Sequence, residues 1–171
     1  MKGYLQVYTG DGKGKTTAAI GLAVRAAGAG FNVFIAQFMK QGDYSEVEAL
    51  RRLSDRITVE QFGTGRFIRG APVPEDIAAA RRGLERVREI FDGAGHQLVI
   101  LDEANVAAAC GLFSPADLLD IVLARPEAVE VVLTGRHAAP AITARADLVT
   151  EMKAVKHYYA SGVAARTGIE K

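Results

Sequence analysis

The residues with the clearest chemical purpose lie near the start of the chain, in Thr9-Gly10-Asp11-Gly12-Lys13-Gly14-Lys15-Thr16-Thr17. Closely spaced glycines reach positive-φ conformations that let successive N–H groups converge on an anion. A helix that starts where such a loop ends adds unpaired N–H groups and the positive end of its dipole. In that setting Lys15 brings a mobile charge to phosphate oxygens, and Thr16 a hydroxyl for Mg²⁺. The usual spacing places a glycine five positions before Gly14, where this chain has Thr9. Gly-Lys-Thr-Thr at the helix start is nonetheless intact. Glycine-rich turns between a strand and a helix are common, but Gly-x-Gly-x-Gly-Lys-Thr-Thr in that context is not, so the loop reads as a phosphate site.

A second constellation is Leu98-Val99-Ile100-Leu101-Asp102-Glu103, an apolar strand ending in two carboxylates. In phosphate-loop proteins an acid at the tip of a neighbouring strand holds Mg²⁺ directly or through water. Such acids also suit a helix N-terminus, and Asp102 could be that cap. Beside the glycine loop the metal reading is preferred, with the choice between Asp102 and Glu103 left open. His96, His137 and His157 are far apart and share no ligand spacing, and His96 reads as a surface residue. The single cysteine, Cys110, reads as a small buried hydrophobe rather than a nucleophile. Arg81, Arg82, Arg86 and Arg88 sit among Glu75, Asp76, Glu85 and Glu89, a mixed-sign helix face expected to be solvated.

These groups need a scaffold, and the apolar pattern supplies one. Tyr4–Tyr8, Asn32–Phe38, Ile57–Phe62, Leu98–Leu101, Val129–Thr134 and Leu148–Met152 read as strands. Between them, Thr16–Ala29, Ser45–Leu53 and Pro74–Asp92 read as helices, the first closed by Gly28 and Gly30. Ile77, Ala80, Leu84, Val87 and Phe91 share one face of the third helix. Ser114-Pro115 opens a further helix, with serine as N-cap and proline at the first helical position. The loop 63–74 is long and rich in glycine and proline, which suggests function. Continuously apolar strands alternating with helices imply a parallel sheet covered on both faces, an α/β doubly wound fold. Ligands in such sheets bind at the carboxyl ends of the strands.

Composition narrows the class. The 171 residues, 49% hydrophobic with a formal charge of +1, fit one domain, 1–171, and argue against a polyanion-binding surface. One cysteine excludes a disulfide framework. No apolar run approaches the roughly 20 residues needed to span a bilayer, and Met1-Lys2-Gly3 does not begin a signal peptide. A cytoplasmic location is expected, with neither nucleic acid nor membrane as a partner.

Over most of its length the chain resembles the P-loop ATP:corrinoid adenosyltransferases. The resemblance rests on the phosphate loop, Gln37-Phe38-x-Lys40-x-Gly42 with Glu46, Val99–Glu103, and Leu133-Thr134-Gly135-Arg136. It continues through Ala146–Met152, Val155-Lys156-His157, and Gly162, Ala165 and Gly168-Ile169-Glu170. It implies a three-layer parallel-sheet, RecA-like P-loop NTPase fold. The implied chemistry is attack of a reduced corrinoid's Co(I) on the 5′ carbon of ATP, with triphosphate leaving. ATP with Mg²⁺ or Mn²⁺, a corrinoid substrate (cobalamin, cobinamide or cobyrinic acid diamide), an electron-donating reductase or flavoprotein, and a homodimer are implied with it. By position, Gly10, Asp11, Gly12, Lys13, Gly14, Lys15, Thr16 and Thr17 would hold the triphosphate. Thr16 and Glu103 would lie on the metal side with Asp102 beside them, while Lys40, Arg136 and Lys156 would contact phosphate or corrinoid.

Two departures stand out. The family tends to carry aromatics after its third strand, to hold cobalt without its lower ligand. Here Arg66 and Ile68 stand at those places with Phe67 between them, so Phe67 either substitutes or packs as core. The chain also begins almost at its first strand, without the N-terminal extension of some members, so closure over the corrinoid is expected to be looser or to use a partner subunit. The competing reading is a P-loop kinase or ATPase acting on another small molecule, which would release ADP rather than triphosphate.

Overall fold

A computed structural model describes residues 2–68 and 70–170. Met1 of the leader argument, Arg69 of the 63–74 loop and Lys171 at the end of the expected domain lie outside them.

Strands β1 (Leu5–Thr9), β2 (Val33–Phe38), β3 (Ile57–Phe62), β4 (Leu98–Asp102), β5 (Glu130–Thr134) and β6 (Leu148–Glu151) form one sheet, in the order β3-β2-β4-β5-β1-β6. Every pairing is parallel. The helices are α1 (Lys15–Gly28), α2 (Ser45–Arg51), α3 (Pro74–Asp92), α4 (Ala104–Ala109), α5 (Pro115–Leu123) and α6 (Pro140–Thr143), followed by a 3₁₀ turn at Tyr158–Ser161.

The apolar strands do two jobs because successive side chains point to opposite faces. Phe34, Ala36, Phe38, Val99 and Leu101 join Leu84, Val87, Leu118 and Val122 in one core. Val33, Ile35, Leu98 and Ile100 join Ala19, Ala23 and Ala26 in the other. The sheet is thus the middle of three layers, as the continuous apolar runs require.

Local signals set the helix ends. Gly30 at φ +84 stops α1, with its N–H bonded to the Ala27 carbonyl and that of Phe31 to Ala26. This is a Schellman closure that only glycine enters without strain. Ser114 caps α5: its hydroxyl accepts from the Asp117 N–H at 3.0 Å, while the Asp117 carboxylate accepts from the Ser114 N–H at 2.9 Å. Gly83 lets α3 lie close on the sheet, since a Cβ there would stand 2.6 Å from Phe38 Cε1.

Three local expectations change, and two short helices join those expected. Helices α4 and α6 span only 6 and 4 residues, too short to show a period in sequence. His96 is half-buried, edge-on to Phe34 at 5.9 Å, and burial with the nearby Arg86 charge pushes its pKa down. Cys110 is half-buried rather than core, because it terminates α4. Asp76 leaves the solvated face: buried at the start of α3, it accepts from the Thr64 hydroxyl at 2.6 Å and the Val73 N–H at 3.3 Å. It ties the loop after β3 to the helix, whereas Arg86 remains on the surface, paired with Glu60 and Glu89.

Candidate active site

Parallel strands direct all their carboxyl ends to one edge, and the chemistry-bearing residues collect there. The phosphate loop follows β1. Gly10 and Gly14 take φ +95 and +122, and a Cβ on Gly12 would sit 2.7 Å from the Met152 carbonyl oxygen. The Gly12 N–H donates to that same oxygen at 2.7 Å, so the backbone after β6 buttresses the loop. Lys15 turns back over it, its Nζ donating to the Gly10 and Gly12 carbonyls at 2.6 and 2.7 Å. No side chain caps α1 among the described residues, which leaves its first N–H groups facing the cleft. Burial and the Arg136 charge lower the Lys15 pKa, against the pull of Glu103 and Asp11.

Asp102 ends β4 and is 1% exposed. The acidic strand is not adjacent to β1; β5 lies between them and contributes Thr134. Asp102 Oδ1 accepts from the hydroxyls of Thr16 and Thr134, both at 2.7 Å. Its Oδ2 accepts from Lys40 Nζ at 2.9 Å and Gln37 Nε2 at 3.3 Å. The Thr134 hydroxyl in turn accepts from the Glu103 N–H at 2.9 Å. Glu103, at φ +61, turns the chain from β4 into α4, a strained left-handed conformation typical of functional sites. Burial first, then the Asp102 charge, raises its pKa, while Lys40, Lys15 and Arg136 oppose the rise. For Lys40 the balance runs the other way: the Asp102 charge and hydrogen bond, with Glu46 and Glu103, together outweigh burial, the largest single effect, and raise its pKa.

Above this cluster lies an open cleft of about 500 Å³, lined by Gly12–Thr17, Glu103, Arg136 and Phe67. Phe67 is 85% exposed, so it is not packed as core. Gly10 and Asp11 lie outside the lining, Lys40 and Asp102 lie beneath it, and Lys156 is exposed and does not line it.

Sequence reasoning gave no role to Gln37, Glu46 or Thr134, which hold Asp102 and Lys40, nor to the tail residues His157, Ile169 and Glu170, which reach the cleft. Glu170 is fixed there by Tyr158 and by Arg166 at 2.9 Å, and these partners hold its carboxyl down at about 2. The signal for Thr134 was its place at the end of an apolar strand, the same signal that marked Asp102.

A sequence model described as ATP:corrinoid adenosyltransferase BtuR/CobO/CobP matches residues 1–170. The chain belongs to this family. It is 35% identical over 170 residues to a corrinoid adenosyltransferase of Pseudomonas aeruginosa, covering 99% of this chain and 84% of the relative. It is 32% identical over 169 residues to those of Escherichia coli K12 and Salmonella typhimurium, covering 99% of this chain and 86% of each. Among solved structures it resembles the RadB recombinase, with TM-score 0.57 and 16% identity over 89% of this chain and 75% of that one. That likeness shows a shared three-layer, parallel-sheet fold of the RecA-like type and says nothing of activity. As a member of its family, this adenosyltransferase is an enzyme that uses ATP and a corrinoid as substrates.

Proposed function

We propose that residues 1–171 act as one domain in which the phosphate loop holds the triphosphate of ATP as a leaving group, while Co(I) of a corrinoid attacks the 5′ carbon. The Co–C bond forms as the C–O bond to triphosphate breaks, and the electron pair of that bond leaves with the phosphate. The nucleophile carries no proton, so the protein's tasks are to position two substrates in line and to stabilise the charge released. Lys15 Nζ, now on the loop carbonyls, is within a short side-chain swing of phosphate bound over the same glycines. Arg136, Lys13 and the α1 N-terminus add positive potential around the cleft. Phe67, at the rim, offers the corrinoid an apolar face.

The donor set suits Mg²⁺, or Mn²⁺ in its place: a hydroxyl and a carboxylate, both hard oxygens, stand 2.7 Å apart beside the phosphate loop. Among the described residues no three His, Cys, Asp or Glu side chains group around a metal position. Thr16 and Asp102 would hold the ion, which when bound neutralises the departing phosphate. Glu103 stands beside them at the cleft.

This Thr16–Asp102 contact beneath an open cleft is the observation that carries the reading. The enzyme is further proposed to be a homodimer, supported by the edge strand β6, where Leu148 and Val149 are 43% and 45% exposed. A reductase or flavoprotein would supply electrons for Co(I), in the cytoplasm where ATP and reducing equivalents meet.

The test is anaerobic. Purified protein with ATP, Mg²⁺ and chemically reduced cob(I)alamin should lose the Co(I) absorption band and release inorganic triphosphate, seen by phosphorus NMR. Appearance of ADP with the Co(I) band unchanged would instead indicate phosphoryl transfer.

A further inference from the structure

The backbone around Lys40 aims its ammonium at the Asp102 carboxylate, with Glu46 as a second, longer partner. Met39, the first residue after β2, takes φ +61, a left-handed turn that methionine adopts at a cost. Gly63 packs against that turn, and a Cβ there would stand 2.6 Å from the Lys40 backbone nitrogen. The turn delivers Lys40 Nζ to 2.9 Å from Asp102 Oδ2 and 3.4 Å from Glu46, and the ammonium lies 5.2 Å from the Tyr44 ring centroid. Asp102 is almost fully buried, and Lys40 is its cationic partner in the described structure.

We propose that Lys40 is a resident counter-cation that keeps a divalent metal from the Thr16–Asp102 pair until ATP arrives, so that metal and nucleotide enter together. The inference rests on the nucleotide-site reading above and not on the corrinoid. Lys13, Lys15, Lys40 and Arg136 set four positive charges against Asp11, Glu46, Asp102 and Glu103, so without ligand the site has no net negative charge to draw a bare divalent cation. The triphosphate adds the negative charge that draws it in. Remove Lys40, and Asp102 becomes an uncompensated carboxylate beside two hydroxyls, a set of hard oxygens that divalent cations bind. Lys40 is thus a positioning residue that sets the order of binding.

Mn²⁺ titrations, read by loss of the free Mn²⁺ electron-paramagnetic signal, test this without turnover. In the absence of nucleotide, Lys40→Met should bind Mn²⁺ about tenfold tighter than wild type, or more. Lys40→Arg should behave as wild type, and adding Asp102→Asn to Lys40→Met should abolish the gain. Lys40→Gln, which keeps a hydrogen-bond donor but no charge, should reproduce the Met result and serves if Lys40→Met does not fold. Equal affinities for wild type and the uncharged variants, or tight Mn²⁺ binding by nucleotide-free wild type, would overturn the proposal. Failure of wild type to retain labelled ATP in equilibrium dialysis with Mn²⁺ present would count against the nucleotide-site reading itself, a separate outcome.

Discussion

Replacing Thr134 by valine tests the wiring of the site at its least obvious point. The two side chains have nearly the same shape, so the change removes a hydroxyl without opening a cavity. In the fully buried Thr134, that hydroxyl donates to Asp102 at 2.7 Å and accepts from the Glu103 N–H at 2.9 Å. A hydrogen bond to a charged group contributes about 1.5–3 kcal/mol, and a buried N–H left without a partner costs about 1–3 kcal/mol. Part of the second cost is recovered by relaxation, so Thr134→Val should lose about 3 kcal/mol. For a chain of this length that corresponds to a melting temperature lower by about 6–12 °C. Thr134→Ser keeps the hydroxyl, loses one methyl, and should cost only about 1 kcal/mol. Urea unfolding of both variants measures these values, and single-turnover adenosyl transfer should also slow in Thr134→Val because Asp102 is less firmly oriented toward Thr16. A valine variant within 1 kcal/mol of wild type, or a serine variant as damaged as the valine one, would refute the reasoning.

Lys15→Ala should fold, because the α1 core of Ala19, Ala23 and Ala26 is untouched, yet lose the stabilisation that saturating ATP gives wild type. At a hundredfold excess over Kd that is about 2.7 kcal/mol, read as a thermal shift. Gly83→Ala should cost about 1–3 kcal/mol by forcing α3 off Phe38 and Phe62, measured by urea denaturation. Glu103 is held above its ordinary pKa in the folded state, so the folded protein binds the extra proton and this residue's contribution to stability falls as pH rises through the folded pKa. Glu103→Gln should therefore stabilise at neutral pH, with the gain vanishing as pH falls below the usual glutamate range; a gain constant across that range would contradict the shift. Phe67→Ala, on a side chain this exposed, should change stability by no more than about 0.5 kcal/mol. It should slow the reaction from Co(II) more than from pre-reduced Co(I), and equal slowing would remove Phe67 from cobalt handling.

Local chemistry made much of this protein legible in one dimension. The expected strand at Ile57–Phe62 and helix at Pro74–Asp92 match the observed limits, because side-chain period and proline placement are properties of neighbouring residues. The same holds for the Ser114 cap, the glycine stop of α1 and the strand–loop–helix setting of the phosphate loop. Short elements escaped, since six residues of α4 cannot display a helical period. Asp76 escaped as well, because whether a carboxylate near a helix start faces water or a buried hydroxyl depends on Thr64 in a different segment.

The candidate site divides along the same line. Residue type and spacing alone marked Lys15, Thr16 and an acid at the end of β4 as candidates for phosphate chemistry. Only the tertiary structure decided which acid meets Thr16, that β5 inserts Thr134 between β1 and β4, and that Lys40 arrives from β2 to neutralise Asp102. It also decided that the tail brings Glu170 to the cleft. The physical reason is that strand order and crossover paths are set by how two apolar faces are buried at once, a condition on the whole chain. The contacts at the carboxyl edge follow from that order, and no window of neighbouring residues contains it.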